Sequence, residues 1–312
     1  MISIAVISAS GLRSGIGHRR RADRIADAAS RRLNCAVIRI DLDNDPDDEI
    51  LVRVLRETEG SVVVIDVPPS LRSESLAHCL ADLRGPCRLI VGVDGPTEGV
   101  DVLIVPSFVI DDELACTRNG KSPDIRWGWG HLLIDPRRAV TPRLAGSSLL
   151  VLTGGSDATG LGRTLPALLD ARLRAGTPVE WVVGPHAPEP QLPESPRLHW
   201  RVLRGLTDLR PLMERAGHAL AVYGVTVLEL LHHGVPTVVL SPYGDRDVVQ
   251  LAVLEKEGIA LTATDEARAV ERLAGLLEDP EAADGLALRA AARIPESGVE
   301  RVVDAILELA DA

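Results

Sequence analysis

The residue in this chain best placed to do chemistry is a histidine at a glycine-bearing turn. Residues Ser8 to Ala29 read SASGLRSGIGHRRRADRIADAA and follow directly on the apolar opening MISIAVI. Gly11, Gly15 and Gly17 permit backbone conformations with positive φ and let the main chain approach a ligand more closely than a Cβ would. His18 falls at the start of the helix that follows, with Arg19, Arg20 and Arg21 beside it. Unpaired backbone N–H groups and the positive end of the helix dipole favour an anion at such a place. A phosphate-bearing substrate with a nearby base, contacted by Gly15, Gly17 and Arg21, is the functional reading. The same residues also fit an ordinary strand-to-helix turn, since the spacing is not a dinucleotide fingerprint and a single histidine is more often structural.

A second constellation lies in YGVTVLELLHHGVP, Tyr223 to Pro236. Gly224, Val225 and Thr226 stand where a strand becomes a helix, so free N–H groups and the Thr226 hydroxyl suit a phosphate. Glu229, one turn on, is able to accept hydrogen bonds from ribose hydroxyls. Thr226 and Glu229 equally fit a capping box, in which each side chain satisfies the other's backbone N–H. Gly154, Gly155, Ser156 and Asp157 end another buried strand, where paired glycines either meet a ligand or only shape a turn. His232 and His233 read as solvated or dipole-compensating side chains at a helix end. No nucleophile elbow, P-loop lysine motif or metalloprotease helix is present.

The elements that must hold these residues alternate along the chain. Strands are expected at Cys35 to Leu42, Ser61 to Ser70, Cys87 to Gly95 and Asp101 to Ser107, with a helix over Ser73 to Arg84. Asp66 and Asp94 fall near the carboxyl ends of their strands, where ligands bind in open α/β sheets. From Asp111 to Leu144 the pattern breaks into polar turns around RWGWGHLLIDPRR. Alternation resumes with strands at SLLVLTGG, VEWVVGPH, LHWRVL, HALAVYG and PTVVLSP. Helices are expected around Asp208 to Ala216, from Val225 to Gly234, and beyond Asp265. Such alternation implies right-handed crossovers and mostly parallel sheets. The expected fold class is α/β, with two doubly wound Rossmann-like domains, residues 1–143 and 144–312, facing across a cleft and joined by an exposed linker at Pro142 to Ser147.

Composition narrows the function classes. Apolar residues make up 46% of the 312 positions but aromatic ones only 2%, so the cores rest on Val, Leu, Ile and Ala, which suits sheets covered on both faces. A formal net charge of −11 argues against a nucleic-acid partner, whose binding needs a basic surface. Cys35, Cys79, Cys87 and Cys116 are dispersed, as in a reduced cytoplasmic protein, and form no metal-binding pair. The acidic run from Asp43 to Glu49 reads as a solvated turn. The apolar opening lacks a basic leader and reads as a core strand, and no run is long enough for a membrane span.

Four blocks then resemble a known family, the UDP-sugar hydrolases of the pseudaminic acid pathway. Gly15, Gly17, His18 and Arg21, with Ala26 beyond, resemble its GxGH-x-x-R opening, and LLVLTGGSD resembles its strand-to-GGSD turn. RWGWGHLLIDPRR resembles the segment before its interdomain linker, and AVYGVTVLELLHHGVPTVVL resembles its AxGxTxxELxxxGxP block. The resemblance implies a GT-B fold, shared with the glycosyltransferase that makes the peptidoglycan lipid precursor. It implies that the carboxyl-terminal domain holds UDP through Gly155, Thr226 and Glu229, and that His18 activates water against the anomeric carbon. A neutral imidazole can take that proton near physiological pH, and helix N-termini can stabilise the leaving diphosphate, so neither metal nor cofactor is required.

Three departures sit close to the implied chemistry. Val225 stands where the family usually has Ser, Arg246 and Asp247 where it has an Asn-Gln pair, and Asp66 is followed by VPPS. They imply an altered sugar pocket. The expected activity is hydrolysis of a nucleotide-activated sugar, a small-molecule UDP-sugar, with a glycosyltransferase or a non-catalytic nucleotide-sugar binder as alternatives.

Overall fold

A computed structural model describes residues 3–9, 17–42, 61–67, 89–95, 99–110, 123–135 and 148–310. Gly11, Gly15, the acidic run at 43–49, the expected helix over 73–84 and the expected linker at 142–147 lie outside the described residues. The chain divides into two compact units, Met1–Asp135 with Ser297–Ala312, and Pro136–Glu296.

The first unit is built on a parallel sheet of β1 (Ile4–Ala9), β2 (Val37–Leu42), β3 (Val62–Asp66), β4 (Leu89–Val93), β5 (Val102–Ile104) and β6 (Asp124–Arg126). Their order across the sheet is β2-β1-β3-β4-β5-β6. Residues Val62 to Ile65 and Leu89 to Val91 alternate between the two faces, yet all are buried, because both faces are covered. Each such aliphatic side chain contributes about 1.5–3 kcal/mol on leaving water. One face carries helix α1 (Gly17–Leu33), whose Ala22, Ile25, Ala26 and Ala29 follow the expected helical spacing and are all buried. Small residues let α1 approach the sheet closely.

The second unit repeats the design with β7 (Leu149–Leu152), β8 (Pro178–Val182), β9 (His199–Leu203), β10 (His218–Val222), β11 (Thr237–Leu240) and β12 (Leu261–Ala263). Their order is β12-β11-β10-β7-β8-β9, the doubly wound dinucleotide-domain pattern, in which the strand order reverses between β7 and β10. Helices α2 (Leu161–Arg172), α3 (Arg210–Met213), α4 (Val225–His232), α5 (Val248–Lys256), α6 (Glu266–Glu278) and α7 (Pro280–Arg293) complete it. A core of Leu149, Val151, Leu165, Trp181, Leu220 and Leu273 joins sheet to helices.

The last helix, α8 (Val299–Ala310), differs from expectation. The sequence places it with residues 144–312 in the second domain, yet it packs in the first unit. Val299, Val302, Val303 and Ile306 form one apolar stripe at i, i+3, i+4 and i+7, and they share a core with Ala22, Ile25 and Ala29 of α1. The Ser297 hydroxyl donates to the Ile134 carbonyl at 2.6 Å, and Gly298 N–H donates to Leu132 O at 2.7 Å, fixing the chain's return. The first boundary likewise falls at Asp135, ahead of the expected 143. The RWGWGH region is also more ordered than expected, since Asp124–Arg126 adds an edge strand beside β5.

Candidate functional site

In the first sheet, strand order reverses at β1, with β2 on one side and β3 on the other, and the carboxyl ends of β1 and β3 lie in register at Ser8 and Asp66. A crevice outside such a switch point is where ligands bind in open α/β sheets. Helix α1 begins there, and its second residue is His18.

The His18 imidazole meets Asp66, with Nδ1 2.6 Å from Oδ1. A carboxylate only accepts, so the tautomer that satisfies Asp66 carries its proton on Nδ1 and leaves the Nε2 lone pair as the acceptor of the ring, with Arg21 Nη2 standing 2.9 Å from the same Nδ1. Asp66 is fully buried, 0% exposed. Its charge is balanced by Arg21, which donates from Nε to Oδ2 at 3.0 Å and from Nη2 to Oδ1 at 2.8 Å, a two-point clamp. Arg21 also donates from Nη1 to Asp94 Oδ2 at 3.1 Å. Burial works against the Arg21 charge, but Asp66 and Asp94 outweigh it and hold the guanidinium more firmly protonated than usual. The ends of two strands, β3 and β4, and one helix thus supply the groups that hold the histidine from behind. Arg21 and Asp66, both expected at the site, bond to each other and to His18. Gly17, exposed at the helix start, has open space where a Cβ would stand.

Asp94 adopts φ 61°, a left-handed conformation uncommon outside glycine. Its side chain remains 45% exposed while reaching Arg21.

In the second unit, the switch point between β7 and β10 brings together the two expected nucleotide segments. Gly154 takes φ 89°, which a Cβ would strain, and Gly154, Gly155 and Ser156 are exposed at the carboxyl end of β7. This turn is backed by Gly184, after β8, where a Cβ would overlap the carbonyl oxygens of Gly154 and Gly155. His186 N–H donates to Gly155 O at 2.9 Å and closes the contact. Local sequence gives no sign of this need at Gly184, because it comes from a turn some thirty residues away.

The two helix starts at this edge differ. Asp157 accepts from the N–H groups of Leu161 and Gly162, at 2.9 and 2.8 Å, so the start of α2 is closed by the chain's own carboxylate. At α4 the cap is Gly224, with no side-chain cap, and Thr226 is the second helical residue. The alternative in which Thr226 and Glu229 form a capping box therefore does not hold, since Thr226 is not the residue that precedes the helix. Val225 is 40% exposed at this start.

Residues after β11 crowd the same edge. Asp247 is buried and accepts from the Ser241 hydroxyl at 2.5 Å, while the Arg246 guanidinium lies 5.6 Å from the Tyr243 ring centre. Burial, then the Asp247 charge, pushes the Tyr223 phenol well above its ordinary range, so it stays a neutral hydroxyl. His232 and His233, expected at the surface, are buried: His232 Nδ1–H donates to Ile294 O at 2.6 Å, and the two rings meet edge to face at 5.7 Å.

No protein-family model matches this chain, and no curated protein sequence matches it. Solved structures do. The crystal structure of MurG from Acinetobacter baumannii matches with a TM-score of 0.64 at 14% identity, covering 99% of this chain and 100% of that one. The glycosyltransferase SnogD from Streptomyces nogalater gives 0.59 at 15% identity, over 98% and 99%. A putative UDP-N-acetylglucosamine 2-epimerase from Listeria monocytogenes gives 0.60 at 15% identity, over 97% and 96%. Likeness at this identity establishes architecture: the chain has the GT-B fold of two Rossmann-like domains. Among the described residues, no helix is long and apolar enough to cross a membrane.

Proposed function

We propose that this chain is an enzyme acting on a nucleotide-activated sugar, with His18 as general base and the second unit as the nucleotide seat. The observation that carries the reading is the His18–Asp66 contact, which commits Nδ1 to donation and leaves Nε2 as a base of fixed direction. In the finer form, hydrolysis, Nε2 takes a proton from water while the water oxygen bonds to the anomeric carbon. The bond from that carbon to the diphosphate oxygen breaks, and UDP leaves with the electron pair. The imidazolium, stabilised by Asp66, then returns its proton to solvent.

The diphosphate would rest on the N–H groups at Gly224, Val225 and Thr226. That start has no side-chain cap, whereas the start of α2 is filled by Asp157. Gly154, Gly155 and Ser156 would line the opposite side of the switch point, with Glu229 on ribose. No metal or cofactor enters this scheme, and the implied partner is a small-molecule UDP-sugar in the cytoplasm. Resemblance of the four sequence blocks to the UDP-sugar hydrolases supports hydrolysis, while Val225, Arg246 and Asp247 point to a different sugar.

A second reading, transfer to an acceptor hydroxyl deprotonated by the same Nε2, is supported by the presence of the glycosyltransferase SnogD among the solved neighbours. Incubating the protein with a panel of nucleotide sugars and no acceptor separates the two. Rapid release of UDP supports hydrolysis; release only on adding an acceptor supports transfer.

A further inference from the structure

The chain contains four Trp, two Tyr and one Phe, and three of these seven aromatic residues gather at one end of the first sheet. Phe108 follows β5, and Trp127 and Trp129 follow β6, all on the carboxyl edge that also carries His18, Asp66 and Asp94. Phe108 and Trp129 stack with ring centres 4.2 Å apart and planes 5° from parallel. Trp127 is left 46% exposed, an aromatic side chain of large apolar area facing water.

Its exposure does not come from a loosely held loop. Gly128 N–H donates to Ser107 O at 2.9 Å, and His131 Nδ1–H donates to the Trp127 carbonyl at 2.8 Å. Gly298, where α8 begins, lies so close to the His131 backbone that a Cβ would stand 2.5 Å from its carbonyl carbon. The Arg301 side chain packs over Gly130, and Arg126 is held by Asp124 at 2.8 Å and Glu308 at 2.9 Å. An exposed indole is thus carried on a backbone held by hydrogen bonds on both sides.

From these features we infer that Trp127 is the platform of a remote glycan subsite, on which a sugar ring of an extended acceptor stacks. The His18 ring lies against Asp66 at the end of β3, and between β3 and β6 lie three strand spacings, roughly 14 Å at about 4.8 Å each. That is farther than one sugar ring reaches, so a ring on Trp127 and a hydroxyl at His18 belong to an oligosaccharide. The inference rests on the transfer reading of the site and names its acceptor class.

Trp181 and Trp200 pack together in the second unit and Trp129 is stacked, so Trp127 supplies the exposed indole signal. Titrating the protein with cellotetraose, chitotetraose and tetragalacturonate, and following tryptophan emission, should show a saturable change with at least one of them. Trp127→Ala should weaken that binding on the order of tenfold, Trp127→Phe should retain most of it, and both should unfold near the wild-type temperature. Absence of a saturable change with all three sugars, or equal affinity in Trp127→Ala, overturns the subsite. A parallel UDP titration of the wild type tests the nucleotide seat by itself: failure there removes the transfer reading, and a tetrasaccharide response would still stand as glycan binding.

Discussion

Asp66 Oδ1 lies 2.6 Å from His18 Nδ1, and this contact decides which nitrogen of the imidazole is available. With Nδ1–H committed to the carboxylate, only Nε2 is left to take a proton. Asp66→Asn keeps the size and the buried position but permits the opposite tautomer. UDP release should fall on the order of 10²–10⁴-fold, with UDP affinity unchanged by calorimetry.

Arg21 has a different part, since it neutralises a carboxylate that is fully buried. Arg21→Gln leaves Asp66 without its two-point partner, and removing one member of a buried pair costs about 3–5 kcal/mol. Denaturant unfolding should show a lower midpoint with an unchanged slope. A variant as stable as the wild type would contradict the clamp.

Two glycines of the second unit separate turn shape from ligand contact. Gly184→Ala drives a Cβ into the Gly154 and Gly155 carbonyls, so it should lower both stability and UDP affinity. Gly155→Ala meets nothing within 4 Å, so stability should hold. If the nucleotide approaches that backbone, UDP affinity should still fall about tenfold or more. Unchanged affinity in Gly155→Ala would remove Gly155 from the nucleotide seat.

Asp170 makes a pH-dependent contribution to the second unit. Burial raises the proton affinity of its carboxyl, but N–H groups of Arg197 and Leu198 outweigh burial and hold it below the usual range. Because the folded state holds this proton less tightly than the unfolded state, its stabilisation is present above roughly pH 4 and is lost as pH falls through the lower folded value. Asp170→Asn should cost about 1–3 kcal/mol at pH 7 and flatten the acid limb of a stability-against-pH curve.

How much of this was legible beforehand follows from the range of the interactions. The α1 stripe rests on local spacing, and its apolar residues are buried as expected; the candidacy of His18 and Asp66 rests on local spacing too, and the two side chains meet. That Arg21 clamps Asp66 depends on β1 pairing with β3 in a register joining Ser8 to Asp66, a contact over more than fifty residues that local patterns do not encode. The constraint on Gly184 is likewise invisible locally, since it comes from the Gly154 and Gly155 carbonyls. The edge strands β6 and β12 have three residues each, too few for a period of two to stand out. Helix α8 was visible as a helix, but its return to the first unit depends on which core its valine stripe fits. Thr226 fits a cap by sequence, yet the helix starts two residues sooner than such a cap requires, at Val225 after Gly224.

The most direct measurement is UDP release by His18→Ala across a panel of UDP-sugars, with UDP binding measured on the same preparation. Loss of turnover with UDP affinity retained is the predicted result. Turnover equal to the wild type would contradict His18 as the base and with it the mechanism.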